Sequence, residues 1–272
     1  MTTFEALVLG VVQGVTEFLP ISSTAHLRIV PALAGWPDAG AAFTAVLQLG
    51  TLAAVVGYFL PELLRMVRAA IAALKDRSHP PEPAARQLGY IVVGSIPIGV
   101  FGLVFKHAIE GSLRSLWVIS TTLIVVAIAL AWVERRARHR RDMDDIRLRD
   151  ALIIGFAQAL ALIPGVSRSG ITLVAALAIG LRRDAAARFS FLLGVPAIAA
   201  AGVFEIKPLL HARDVGGTAM AVGLLAAAGT GYISIAWLLR YLRARTTMPF
   251  VVYRIALGAL LLALLFTGRL AP

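Results

Sequence analysis

The chain contains no cysteine. Disulfides, thiolate metal sites and a cysteine nucleophile are therefore excluded, and the redox compartment is left undetermined. Charge is also scarce, at 15% of residues against roughly 25% in soluble domains. The sequence has no GxxxxGK[ST] loop, no GxGxxG turn and no HExxH pair, so ATP-driven work and zinc-protease chemistry lack their characteristic residues. No Lys or Arg precedes Arg28. Without the basic region of a cleaved signal, the N-terminus is expected to stay in the mature chain.

Apolar residues take the place of the missing charge, making up 59% of the 272 positions with a mean hydropathy of +0.83. Stretches long enough to cross the hydrocarbon, allowing for tilt, recur at 41–60, 89–105, 116–133, 185–204, 217–239 and 250–266. The expected fold class is an all-α integral membrane protein with six transmembrane helices. A net charge of +11 does not argue for nucleic acid, because the basic residues gather between the apolar stretches. Membrane lipid is the expected surrounding, and a homodimer is left open.

The chain repeats itself. Ala6, Leu7, Gly10 and Gln13 return as Ala151, Leu152, Gly155 and Gln158, Pro20 and Ser23 return as Pro164 and Ser167, and Gly57 and Phe59 return as Gly202 and Phe204. This predicts one membrane domain, 1–272, built from a first repeat at 1–133 and a second at 150–267. Each repeat opens with a broken apolar unit, about 4–34 and about 150–181, followed by three spans. The pieces are too short to span, so two re-entrant helix hairpins are the economical reading, with one kinked crossing helix per unit as the alternative. Basic residues favour the hairpins. The loops 61–88 and 134–149 and the clusters at Arg182, Arg183 and Arg188 and at Arg240, Arg243 and Arg245 then all fall in the cytoplasm. Three spans per half also give the halves opposite orientations, an inverted-topology repeat in which the two hairpin tips approach the midplane from opposite sides.

Chemistry concentrates at the two interruptions. Gln13 and Glu17 share a helix face, and a carboxylate at that depth must face protein, a cation or water. The functional reading is a metal site for Mg²⁺ or Ca²⁺ with Glu17 and Gln13 as oxygen ligands, shared with substrate phosphates; a protonated or structurally paired Glu17 is the alternative. Glu5 is set aside as part of a Thr2-x-x-Glu5 capping box. Ser22, Ser23 and Thr24 follow Pro20 and open a half-helix, whose start aims N–H groups at an anion. A nucleophilic serine needs a base, and His26 is the nearby candidate. Arg168, between Ser167 and Ser169 and flanked by Gly165 and Gly170, suits bidentate capture of phosphate, with snorkelling as the alternative. Arg28 and Arg254 read as snorkelling or supporting residues, while His79, His107, His139 and His211 show no ligand spacing. Taken together, these groups suit phosphoester or pyrophosphate chemistry, which requires oxygen charge to be neutralised and held in line.

The segments Gln13-Gly-Val-Thr-Glu17-Phe-Leu-Pro20-Ile-Ser22-Ser23-Thr24-Ala-His26 and Pro164-Gly-Val-Ser167-Arg168-Ser169-Gly170-Ile-Thr172 resemble the two signature motifs of the bacitracin-resistance family of undecaprenyl-pyrophosphate phosphatases. The likeness extends over the whole chain in length, repeat layout and span order. The PSGH segment of the other membrane phosphatase class is absent. What the resemblance implies is cation-dependent hydrolysis of undecaprenyl pyrophosphate to undecaprenyl phosphate and inorganic phosphate at the bacterial cytoplasmic membrane. That activity recycles the lipid carrier of cell-wall synthesis and confers resistance to bacitracin. It implies that Glu17 and His26 support activity, that Ser23 is the nucleophile and that Arg168 binds phosphate; the loop hydroxyls Ser22, Thr24, Ser167 and Ser169 are read beside it as further phosphate contacts. Gln13 stands where some members have Glu, which leaves a single carboxylate for the metal. The expected site opens to the extracytoplasmic side, and Ser23, assisted by His26, attacks the terminal phosphorus; direct attack by water is the competing mechanism. A lipid-carrier flippase or other inverted-repeat transporter is the competing function.

Overall fold

The structure, a computed structural model, describes residues 1–76, 81–105, 113, 115–211 and 216–270. Among these residues there are ten α-helices and no strand: α1 (Thr3–Phe18), α2 (Ser23–Ala34), α3 (Gly40–Lys75), α4 (Pro83–Val104), α5 (Leu116–Arg136), α6 (Leu148–Ala159), α7 (Arg168–Ala178), α8 (Arg183–His211), α9 (Gly217–Leu242) and α10 (Met248–Phe266). Six of them, α3, α4, α5, α8, α9 and α10, contain stretches long and apolar enough to cross a membrane. The chain is an all-helical multi-pass membrane protein.

The other four helices are 16, 12, 12 and 11 residues long, about 16–24 Å at 1.5 Å per residue, short of a hydrocarbon core of about 30 Å. They come as two pairs, α1–α2 and α6–α7, each broken by a polar loop. α1 starts with the capping box: the Thr2 hydroxyl accepts from the Glu5 N–H, and the Thr2 N–H donates to the Glu5 carboxylate. Each pair returns to where it began. Phe4 meets Trp36 edge-on at 6.3 Å, while Arg141 donates both to Asp150 at the start of α6 and to the Ile179 carbonyl just past α7.

Small residues set how closely α1 and α6 pack against their neighbours. A Cβ on Gly14 would sit 2.6 Å from the Ala227 carbonyl oxygen on α9, and one on Gly155 would sit 2.2 Å from the Gly94 carbonyl oxygen on α4. Backbones that close tolerate only glycine, the usual basis of tight helix contact in lipid. At the end of α1, Phe18 packs edge-on against Phe191 of α8 at 5.3 Å, which fixes the adjacent Glu17.

One boundary differs from the sequence reading. The first span was expected to end at Leu60, yet α3 continues through Pro61 to Lys75. Proline removes one backbone hydrogen bond, but the following turns bury Met66 and Ala69 in the same core as Ala84 and Val133, with Arg65 and Arg68 exposed. Tertiary packing of this amphipathic stretch outweighs the break.

Ion pairs gather several helix ends at one end of the bundle. Glu62 on α3 pairs with Arg188 on α8 at 2.6 Å. Glu134, near the end of α5, accepts from Arg183 at 2.7 Å and from the Thr247 hydroxyl, just before α10, at 2.8 Å. Arg182 reaches Asp142 in the α5–α6 connection at 3.4 Å. Arg243 of the α9 end lines a cavity with Glu62 and Arg188. Arg182, Arg183, Arg188 and Arg243, members of two of the basic clusters, thus lie at one end of the bundle.

Candidate active site

Each polar loop holds a serine in left-handed backbone, Ser22 at φ 75° and Ser167 at φ 72°. A non-glycine residue there costs of order 1 kcal/mol and persists only where its surroundings hold it. Here the serine is needed as a helix cap, since the Ser22 hydroxyl accepts from the Ala25 N–H at 3.4 Å and the Ser167 hydroxyl from the Gly170 N–H at 3.1 Å. The caps set the register between the loops: Ser22 corresponds to Ser167, hence Ser23 to Arg168. This corrects the sequence reading, which aligned the prolines and so matched Ser23 with Ser167; the prolines stand at different distances from the caps. Ser23 and Arg168 are partly exposed, whereas both caps are buried.

The loops are tied to each other. The Ser169 hydroxyl lies 3.2 Å from the Glu17 carbonyl oxygen and 3.0 Å from that of Leu19. Arg254 is 0% exposed and donates to the Pro20 carbonyl of the first loop at 3.0 Å, to the Gly165 and Val166 carbonyls of the second at 3.0 and 3.1 Å, and to Leu123 on α5 at 3.1 Å. It does not snorkel. Among the described residues it has no carboxylate partner, so its charge raises the potential around both loops and favours an anion there. The second loop also closes on α5, where the Thr122 hydroxyl donates to the Pro164 carbonyl at 2.7 Å. Gly165, at φ +87°, lies so near that a Cβ would come within 2.2 Å of that hydroxyl.

Glu17 is the hub. Its Oε1 accepts from Arg168 at 2.9 Å, and its Oε2 accepts from the Ser23 hydroxyl at 2.6 Å and from the Gln13 amide at 3.0 Å. The side chains of Arg168 and Glu17 are only 13% and 8% exposed, so Arg168 turns toward the first loop rather than to the surface. These three donors fix the orientation of the carboxylate. Gln13 Oε1 is buried without a partner among the described residues. With the Glu17 carboxylate it supplies the kind of oxygen donor that an ion such as Mg²⁺, which keeps several waters and shares phosphate oxygens, would accept. No group of three or more His, Cys, Asp or Glu side chains gathers as a metal cluster among the described residues.

His26 stands apart from Ser23. Its Nδ1 lies 2.7 Å from the Ser22 carbonyl oxygen and so carries the proton, which leaves Nε2 to accept from the Tyr253 hydroxyl at 2.6 Å. The two rings stack at 5.6 Å, 9° apart. The sequence reading gave His26 to Ser23 as its base, but the hydroxyl is directed to Glu17. Ser22, Ser167 and Ser169 have hydroxyls engaged inside the loops, so of the expected phosphate contacts Thr24 reaches outward and Arg168 is held by Glu17. Thr24 is exposed, 3.4 Å from the Ser22 hydroxyl. Arg28 pairs with Asp38, and His139 bonds the Glu134 carbonyl at 3.1 Å. His79, His107 and the His211 side chain lie outside the described residues. Sequence reasoning missed Tyr253 and undervalued Arg254. Arg254 did carry a signal, being a charge within an apolar span and without an acid at helical spacing.

The family model described as bacitracin resistance protein BacA matches residues 6–260. A protein of Myxococcus xanthus named undecaprenyl-diphosphatase is 55% identical over 273 residues, covering 100% of this chain and 92% of its own. One of Streptomyces coelicolor named undecaprenyl-diphosphatase 2 is 47% identical, covering 100% of this chain and 98% of its own. One of Synechococcus elongatus, also named undecaprenyl-diphosphatase, is 50% identical, covering 98% and 94%. Both polar loops lie inside the matched region, and the chain belongs to the bacitracin resistance protein BacA family.

Proposed function

We propose that this chain hydrolyses undecaprenyl pyrophosphate to undecaprenyl phosphate and inorganic phosphate, the activity in its relatives' names. The observation that carries the reading is a pair of contacts at Glu17: one carboxylate holds a serine hydroxyl at 2.6 Å and an arginine from the opposite loop at 2.9 Å. A hydroxyl set against a carboxylate serves a hydrolase and has no evident use in a flippase. Recycling of the lipid carrier and resistance to bacitracin follow from the same activity.

Pyrophosphate oxygens compete with Glu17 for Arg168, which binds the terminal phosphate together with Thr24 and the N–H groups opening α2 and α7. Glu17 takes the hydroxyl proton as the Ser23 oxygen bonds to the terminal phosphorus and the bridging P–O bond breaks, releasing undecaprenyl phosphate. Once that proton has passed to solvent, Glu17 takes a proton from an attacking water and returns it to the departing Ser23 oxygen. Inorganic phosphate leaves and the hydroxyl is restored. His26 bridges the Ser22 carbonyl and Tyr253, and so positions the turn that presents Ser23. Glu17 and Gln13 Oε1 are the groups that would hold a divalent cation, which would neutralise phosphate charge. The active-site residues all belong to one chain, so a homodimer is not required for the chemistry.

The topology we favour is an inverted repeat with two re-entrant hairpins, 1–133 and 150–267, in the bacterial inner membrane. It is supported by the matched caps at Ser22 and Ser167, by each short pair returning to its starting point, and by the paired crossings of α1 on α9 and α6 on α4. The basic end is then cytoplasmic, and the site opens to the extracytoplasmic side. The test is phosphate release from polyprenyl pyrophosphate by purified protein. Release should need Mg²⁺ or Ca²⁺ and fall with Arg168→Ala, whereas transfer of the lipid across sealed vesicles without phosphate release would overturn the reading.

A further inference from the structure

A cavity of about 730 Å³ opens at the basic end of the bundle, and Glu17, Ser23 and Arg168 are not among its lining residues. Arg86 and Tyr90 of α4 line it, with Arg141 and Arg147 of the α5–α6 connection and Arg149 of α6. Its three aspartates are already engaged. Asp150 accepts from Arg141 and from the Arg147 N–H at 2.9 Å, Asp144 from the Gln87 amide at 2.9 Å, and Asp145 from the Asp142 N–H at 2.8 Å. Arg141 is engaged as well, by Asp150 and by the Asp145 and Ile179 carbonyls. Arg86, Arg147 and Arg149 remain, all exposed; none forms a salt bridge among the described residues, and of the three only Arg147 acts on a cavity carboxylate through its charge, that of Asp150. Each brings five N–H donors in a fork that matches phosphate oxygens.

One of these arginines heads an apolar stripe. On α6 and the turn that follows it the exposed face descends from Arg149 to Ile153, Phe156 and Leu160, which are 40%, 56% and 49% exposed. The spacing keeps the stripe on one side of the helix, away from Gly155, where α6 packs on Gly94 of α4. A ligand seated here meets phosphate-binding donors at its head and apolar surface along its length. We propose that the cavity binds the phosphate of an anionic membrane phospholipid, whose acyl chains lie along the exposed face of α6. The site is separate from the hydrolytic one and does not depend on the proposed reaction.

Native mass spectrometry of the detergent-purified chain, delipidated and then offered phosphatidylglycerol or phosphatidylcholine, tests this. Phosphatidylglycerol should be retained over phosphatidylcholine, and the triple variant Arg86→Gln, Arg147→Gln, Arg149→Gln should weaken that retention by about tenfold or more. The variant should keep wild-type phosphate release in detergent, which shows that it folds. Arg240→Gln with Arg245→Gln, basic residues that do not line the cavity, should retain the lipid. Equal retention of the two lipids, or unchanged retention in the triple variant, would overturn the proposal. Displacement of the lipid by millimolar inorganic phosphate, with tight binding of that phosphate alone, would assign the cavity to a free anion and overturn it too.

Discussion

In the first loop Ser22 caps α2 and is followed by a hydroxyl, Ser23; in the second Ser167 caps α7 and is followed by a guanidinium, Arg168. The backbones match to a few degrees in φ, 75° against 72°, while the chemistry divides. Counting back from each cap by the same number of residues reaches Glu17 in one half and Leu162 in the other. The glutamines one turn earlier are both kept and both buried. Gln13 bonds Glu17, but Gln158 faces no acid and has neither side-chain polar atom partnered among the described residues. The matched loops therefore supply two helix starts suited to an anion, and two differing positions separate the proposed nucleophile and its proposed base from the residue proposed to hold phosphate.

The sharpest way to break this division is to remove its unequal members. Ser23→Ala should lower kcat by about 10³-fold or more with little change in KM, because it deletes an atom that forms a bond in the reaction. Arg168→Ala should lower kcat/KM by about 10²–10³-fold, as loss of a charged donor to phosphate does. Arg168→Lys should recover part of it, since an ammonium lacks the fork. If Ser23→Ala instead raised KM alone, the two loops would share the binding role.

What the loops hold in common is tested at Arg254, which bonds both. Arg254→Ala leaves carbonyls of Pro20, Gly165, Val166 and Leu123 unsatisfied at once, and we expect a loss of about 2 kcal/mol or more, read as a lowered thermal midpoint in detergent together with lost activity. Tyr253→Phe touches only the first loop. It keeps the ring but removes the hydrogen bond to His26 Nε2, and activity should fall by at most about tenfold, the value of one neutral hydrogen bond, with the thermal midpoint nearly unchanged.

The smallest effect lies where the second hairpin is anchored. Burial raises the Asp150 carboxyl, but hydrogen bonds from Arg141 and the Arg147 N–H, with the charges of both arginines, outweigh it and hold the group below the ordinary carboxylate range. A depressed folded value adds stability above the unfolded pKa of about 3.9 and loses it as pH falls through the folded value. The thermal midpoint of the wild type should therefore drop more steeply below about pH 4 than that of Asp150→Asn.

Much of this was legible in the sequence because lipid leaves few options. Six spans follow from hydropathy alone, and Gln13, Glu17, Ser23 and Arg168 were conspicuous because polar groups at that depth are costly. What was hidden depends on packing between distant segments. Pro61 read as a boundary because the burial of Met66 and Ala69 beyond it is tertiary. The register of the second loop was obscured by its proline, since the positive φ that equates Ser22 with Ser167 leaves no compositional mark on a serine. His26 looked like the base for Ser23 by proximity in sequence, whereas its actual partner, Tyr253, lies 227 positions away.

The central claim is that the first loop attacks while the second holds, and a rapid-quench experiment addresses it most directly. Polyprenyl pyrophosphate labelled in its terminal phosphate is mixed with purified protein and quenched within a single turnover. Label should appear on Ser23, rise before free phosphate does, and be absent from Ser23→Ala, which should release almost none. Undiminished phosphate release by Ser23→Ala, with no labelled protein at any time in the wild type, would contradict the account and assign the attack to water.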